Sequence, residues 1–197
     1  MRKDDIVRRR LLAFLIDVFI VSLFVSMIVG STNDRSDDKN MNRLNEVIND
    51  YSNEKINSKE YFDEYGKILY DINQDSFNEN IIYFVVSLGY FLIFQYLNNG
   101  STIGKKIMRI RIVNKNKKKV SFLQLLVRVS LVNQLLSMFL LLIFTKYLTG
   151  MSFLIGYGIA NVVENGIVIV CGMTLVFSKD KIALHDKITN SQVIGIK

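Results

Sequence analysis

Several charged and amide side chains of this sequence stand inside long apolar runs, where a polar group needs either a partner or a purpose. Asp17 interrupts the run 11–29, and Arg128 lies near the start of a run from about 120 to 144. Glu164 falls near the middle of a run from about 152 to 177, with Asn161 and Asn165 beside it at helical spacing. At hydrocarbon depth such charges cost about 2.5–3.5 kcal/mol each on insertion scales, so they pair with one another or face a wet cavity. Glu164 with the two Asn, and with Asn133 and Gln134 at similar depth on the preceding run, could form a proton or cation site. The same amides could equally be interhelical glue, worth about 0.6–2 kcal/mol per bond.

A second constellation gathers toward the ends of the runs. Arg10 precedes Asp17 by seven residues, which puts both on nearly one stripe of a helix, with the small Ala13 between them. Asp17 and Arg128 lie about equally deep in their runs, so an Asp17–Arg128 ion pair is geometrically available; its plainest role is to lock helices together. Near the chain end, His185 adjoins Asp186 and could relay protons, because imidazole titrates near neutral pH. A metal site is not expected from one His and one Cys. Cys171 sits in an apolar run and reads as a small buried hydrophobe. No Ser, His and acid can be placed together as a hydrolytic triad, so neither an enzyme nor a cofactor is expected.

The elements that must hold these residues are membrane helices. Half of the 197 residues are apolar, with a mean hydropathy of +0.24, and they gather in blocks rather than alternating with polar residues. Blocks of about twenty match a ~30 Å hydrocarbon core at 1.5 Å per residue. The expected fold is an all-α membrane protein of about four transmembrane helices, over about 11–29, 81–97, 122–144 and 152–177. A cleaved signal peptide competes for the first run, but its apolar core would be shorter and free of acid.

Charge sets the expected orientation. The net charge of +7 is unevenly spread. Residues 30–79 carry twelve acids and six bases, whereas the 98–119 connector carries eight bases and no acid. Bases also precede the first run and follow the last. Four spans with these loops satisfy the positive-inside rule if both termini are cytoplasmic and 30–79 is outside, in the cell membrane. Nucleic acid is the weaker reading of the charge. The expected partners are the bilayer, anionic headgroups on the cytoplasmic side, and a second copy of the chain or another membrane protein.

The loops carry their own signals. In the acidic stretch 30–79, Leu44, Val47, Ile48 and Tyr51, then Tyr61, Tyr65, Ile68 and Ile72, recur at helical spacing, so an outer cap of two short helices competes with a solvated linker. In the connector, Gly100–Lys105 lacks the spacing of a phosphate-binding loop and reads as a tight turn, with Lys105 at headgroup level. Residues 107–113 alternate imperfectly with bases, so a short cytoplasmic β-hairpin is expected there, joined by 192–196 of the tail.

Three segments together carry a resemblance. Arg9-Arg10-Leu11-Leu12-Ala13-Phe14-Leu15-Ile16-Asp17, the Thr102-Ile103-Gly104-Lys105 connector and the Leu184-His185-Asp186…Thr189 ending resemble the RDD family of bacterial membrane proteins, in order and spacing. The resemblance identifies Arg10, Asp17 and Asp186 as the residues behind the family name. It implies a role in transport, with sodium/proton antiport as one reported activity. The acidic loop and Glu164 lie outside the family motifs. The rival functional class is a non-transporting partner, an immunity or assembly factor acting through the acidic loop.

Overall fold

A computed structural model describes residues 3–30 and 36–196, the side chains of Lys3 and 36–38 excepted. Arg2, Lys197 and the first residues of the acidic loop, 31–35, lie outside the described residues. Helix α1 (Lys3–Val29) is apolar on nearly every face, as a helix surrounded by lipid requires. Its expected span therefore begins earlier, the first turns being the charged Asp4, Asp5 and Arg8 to Arg10.

The acidic stretch forms two helices, α2 (Ser36–Ser52) and α3 (Ser58–Asp75). Asn57 caps α3 reciprocally with Glu60. Arg43 of α2 donates to Asp71 of α3 at 2.8 Å, and Asn40 to Asp75 at 2.9 Å. The pair is seated on the bundle: Gly66 of α3 lets its helix approach the Gly150 backbone, and Tyr70 meets Phe153 edge to face.

The second span runs Phe77–Leu97 as α4 (Phe77–Leu88), a π-helical stretch Gly89–Phe94, and α5 (Gln95–Leu97). The wider π turn rotates the residues after it relative to an ideal helix. Tyr90 within it and Gln95 just after it face polar partners. The connector then makes helix α6 (Ile103–Ile107) and strand β1 (Ile110–Asn114).

The third apolar run differs from expectation. It is two helices, α7 (Phe122–Val132) and α8 (Leu135–Tyr147), bent by 72°. The break falls on Asn133 and Gln134, the latter in the left-handed region at φ +56°. A backbone N–H freed by the break, that of Ser137, is taken up by the Glu164 carboxylate, which an apolar residue could not do at this depth. Helix α9 (Gly150–Phe177) is the last long span, followed by α10 (Leu184–Ile188) and β2 (Ser191–Gly195). Among the described residues, three helices are long and apolar enough to cross a membrane, and a fourth crossing exists if the bent pair counts as one span.

Of the strand pairings expected, the tail supplies the ladder. β1 and β2 are antiparallel, with Ile112 opposite Val193. The local hairpin return is reduced to one bridge between Val113 and Lys119. Sheet, α6, α10 and the start of α1 thus meet at one end of the bundle.

Candidate functional site

Asp186 organises that end. It lies in the first turn of α10, where its Oδ2 accepts from the Ala183 backbone N–H at 3.2 Å. The same Oδ2 accepts from Arg10 Nη1 at 2.8 Å, and Oδ1 accepts from Arg128 Nη1. One carboxylate therefore holds α1, α7 and α10 together. Arg128 Nη1 also donates to Ser191 Oγ at 2.6 Å. Thr189 braces Ser191 by a 2.7 Å hydroxyl contact and donates to the His185 carbonyl at 2.7 Å.

The expected Asp17–Arg128 pair is not formed, because Arg128 is taken by Asp186. Asp17 instead receives the connector. Its Oδ1 accepts from Tyr90 O–H at 2.6 Å and the Gly104 N–H at 2.8 Å, and its Oδ2 accepts from Thr102 O–H at 2.5 Å. Thr102 at the same time caps α6 by accepting from the Lys105 N–H. Gly104 is required by contact: a Cβ there would overlap the Ala13 carbonyl oxygen and lie 2.7 Å from Asp17 Oδ1. The Thr-x-Gly-Lys spacing thus places one hydroxyl and one bare backbone N–H on a single carboxylate. Gly104→Ala is expected to lower thermal stability by about 1–3 kcal/mol, as overpacking does, read as the melting temperature in detergent.

Lys105, expected at headgroup level, lines a cavity at this end of the bundle. Burial lowers its pKa to about 8, with Arg128 and Arg10 adding repulsion and Asp17 opposing them. His185 is also displaced from the role expected for it. Burial first, then Arg128, pushes its pKa down to about 3, well below the near-neutral value on which the relay reading rested. Its Nε2 is 3.1 Å from Arg10 Nη2 and 3.2 Å from Arg128 Nη2. Guanidinium nitrogens only donate, so Nε2 accepts and the ring proton sits on Nδ1. Asp186 Oδ1 at 3.4 Å is a more distant neighbour. The buried Nδ1 has no partner among the described residues.

The cavity above this cluster has a volume of about 210 Å³. Arg10, Lys105, Arg128 and His185 line its polar end, and Phe14, Phe91, Val129 and Leu175 its apolar wall. It extends to Val132, Asn133 and Val168, the last being one helical turn from Glu164.

Glu164 stands midway along α9 and is 5% exposed. Its Oε2 accepts from the Ser137 N–H at 2.7 Å, in the first turn of α8. The break leaves that N–H without a helical acceptor, so the carboxyl caps a helix start inside the bundle. Its Oε1 is buried with no partner among the described residues. Asn165 Oδ1 accepts from Gln134 Nε2 at 2.9 Å across the break, whereas the Asn161 amide turns back to the Tyr157 carbonyl of its own helix. Glu164 and Asn165 therefore meet the break, and Asn161 does not.

Sequence reasoning missed Tyr90, Ser191 and Ser137. Nothing local marks Tyr90, because a π turn aims it; Ser191 arrives through strand pairing, and Ser137 through the bend.

The RDD family model matches residues 6–190. No curated protein and no solved structure matches the chain.

Proposed function

This chain belongs to the RDD family of membrane proteins, and from that premise we propose that it is a small transporter in which Glu164 exchanges a proton for a monovalent cation. The carrying observation is the unpartnered Oε1 of a buried carboxyl at a helix break. Broken helices at mid-depth are the usual way membrane transporters present polar groups to an ion. The cavity supports the reading by extending to Val168, one helical turn from Glu164. Asp17 is the weaker carrier, because three donors already occupy its oxygens. Four crossings are few for a pathway, so the working unit is an oligomer in the cell membrane, with the lysine-rich connector and both termini cytoplasmic.

The test is reconstitution in liposomes with a trapped pH dye. A sodium or lithium jump is expected to move protons, and Glu164→Gln to slow that movement at least tenfold. The Gln carbonyl still accepts from Ser137, so the fold is kept while the exchangeable proton is lost. A Glu164→Gln rate equal to wild type leaves the carboxyl as a helix cap alone.

One observation favours a partner role instead. The seated α2–α3 pair exposes Met41, Ile48, Tyr51 and Phe62 among its acids, which suits a cationic peptide or another membrane protein. Met41→Ser with Phe62→Ser would then abolish function and leave ion flux intact.

A further inference from the structure

We propose that the cavity between α1 and the α7/α9 wall binds a single-chain anionic amphiphile, its carboxylate at Lys105 and its alkyl chain leading into the bilayer. The amphiphile would occupy the cavity that ends one turn from Glu164, but its binding does not depend on the exchange reading. Charge comes first. Arg10, Arg128 and Lys105 meet two carboxylates at the polar end, Asp17 and Asp186. Asp17 is an acceptor to three donors, and Asp186 is an acceptor to both guanidiniums. With His185 neutral, three cations against two anions leave room for one negative charge.

Unused donors come second. Among the described residues the Lys105 backbone N–H bonds Thr102 but its ammonium has no hydrogen bond or ion pair, and the Nδ1 proton of His185, itself 6% exposed, is buried without an acceptor. A carboxylate oxygen accepts from both types of donor. Both residues line the cavity.

The shape selects the chain. A cavity of about 210 Å³ exceeds the roughly 150 Å³ apolar cavity known to hold benzene. That space accommodates a headgroup and the first part of one alkyl chain, so the rest must leave it. Helix α1 does not pack extensively on α7 or α9. Leu11 and Phe14, on the cavity wall, are 50% and 42% exposed, so the cavity opens sideways to lipid. On the facing helix, Gly172 lines the cavity with no atom within 4 Å of a Cβ placed there.

The probe is nitroxide-labelled stearate added to the full chain in phosphatidylcholine nanodiscs, read by the motionally restricted part of its spectrum. Wild type is expected to show a saturable component of one per chain, displaced by oleate but not by oleyl alcohol or acetate. Lys105→Gln removes the charge, and Gly172→Trp fills the opening where nothing now packs. Each is expected to weaken binding at least tenfold, while Glu164→Gln leaves it unchanged. A component unaltered in both variants is ordinary annular lipid and overturns the proposal. Displacement by oleyl alcohol as good as by oleate overturns the headgroup assignment, and displacement by acetate alone overturns the chain assignment.

Discussion

Asp186→Asn is expected to destabilise the purified protein by about 3–5 kcal/mol, the usual cost of stranding a buried charge. The Asp186 side chain is 2% exposed and is the shared counter-ion of Arg10 and Arg128. An amide keeps the volume but loses the charge, and its NH2 group must face one guanidinium. Both cations then remain buried without a carboxylate of their own. Removing a cation is expected to cost less, and unequally. Arg128→Gln also loses the Ser191 contact, so it should exceed Arg10→Gln, since among the described residues Arg10 bonds no carboxylate besides Asp186. Cys171 is the chain's single thiol and is buried, so a thiol-reactive dye reports unfolding directly during a thermal ramp. An Asp186→Asn melting point within a degree or two of wild type would show that the ion pairs do not hold this end together. Acid alone does not mimic the substitution. Burial raises the Asp186 pKa, but Arg128 and Arg10 outweigh it and hold the carboxyl well below its ordinary range. A folded pKa below the unfolded one contributes stability above the unfolded value and loses it only as pH falls through the folded value. The pairing is therefore expected to persist undiminished from pH 7 down to about 4, where unfolded carboxylates begin to protonate.

His185 gives the second large effect, and with the sign of a group that must stay neutral. Its pKa is about 3 in the folded protein against the ordinary 6.5. Between those values the unfolded chain binds a proton that the folded chain does not, so stability falls as pH falls. The slope is about 1.4 kcal/mol per pH unit once the unfolded imidazole is fully protonated, or about 1–2 kcal/mol in all from pH 6.5 to 5. The full contribution is present above pH 6.5. His185→Gln keeps an acceptor for the two guanidiniums and cannot titrate. The melting temperature of wild type is therefore expected to drop on acidification relative to the variant. Because this is the chain's only histidine, parallel profiles would refute the buried neutral imidazole.

The membrane class followed from length and polarity alone. A helix in lipid must satisfy its backbone within itself and present apolar side chains outward, and both demands are written along the chain as blocks. The three motifs around Asp17, Thr102 to Lys105, and Leu184 to Thr189 were likewise legible, because backbone caps and close approaches require particular residue types at set spacings. What no local pattern could decide was pairing. Asp17 and Asp186 are both acids within reach of a base by depth, and Arg128 could serve either. The choice fell to Asp186 only when strand β2 drew the tail beneath α7 and α6 docked the Gly104 N–H on Asp17. The bend at Asn133 and Gln134 was equally hidden: amides in an apolar run fit glue, site or break alike, and only the acceptor that Glu164 offers across the bundle makes the broken form stable. Periodicity reports which side of a helix is apolar, and composition reports which residues need partners. Which partner each one meets depends on contacts far apart in the chain, and those exist only once the helices have packed.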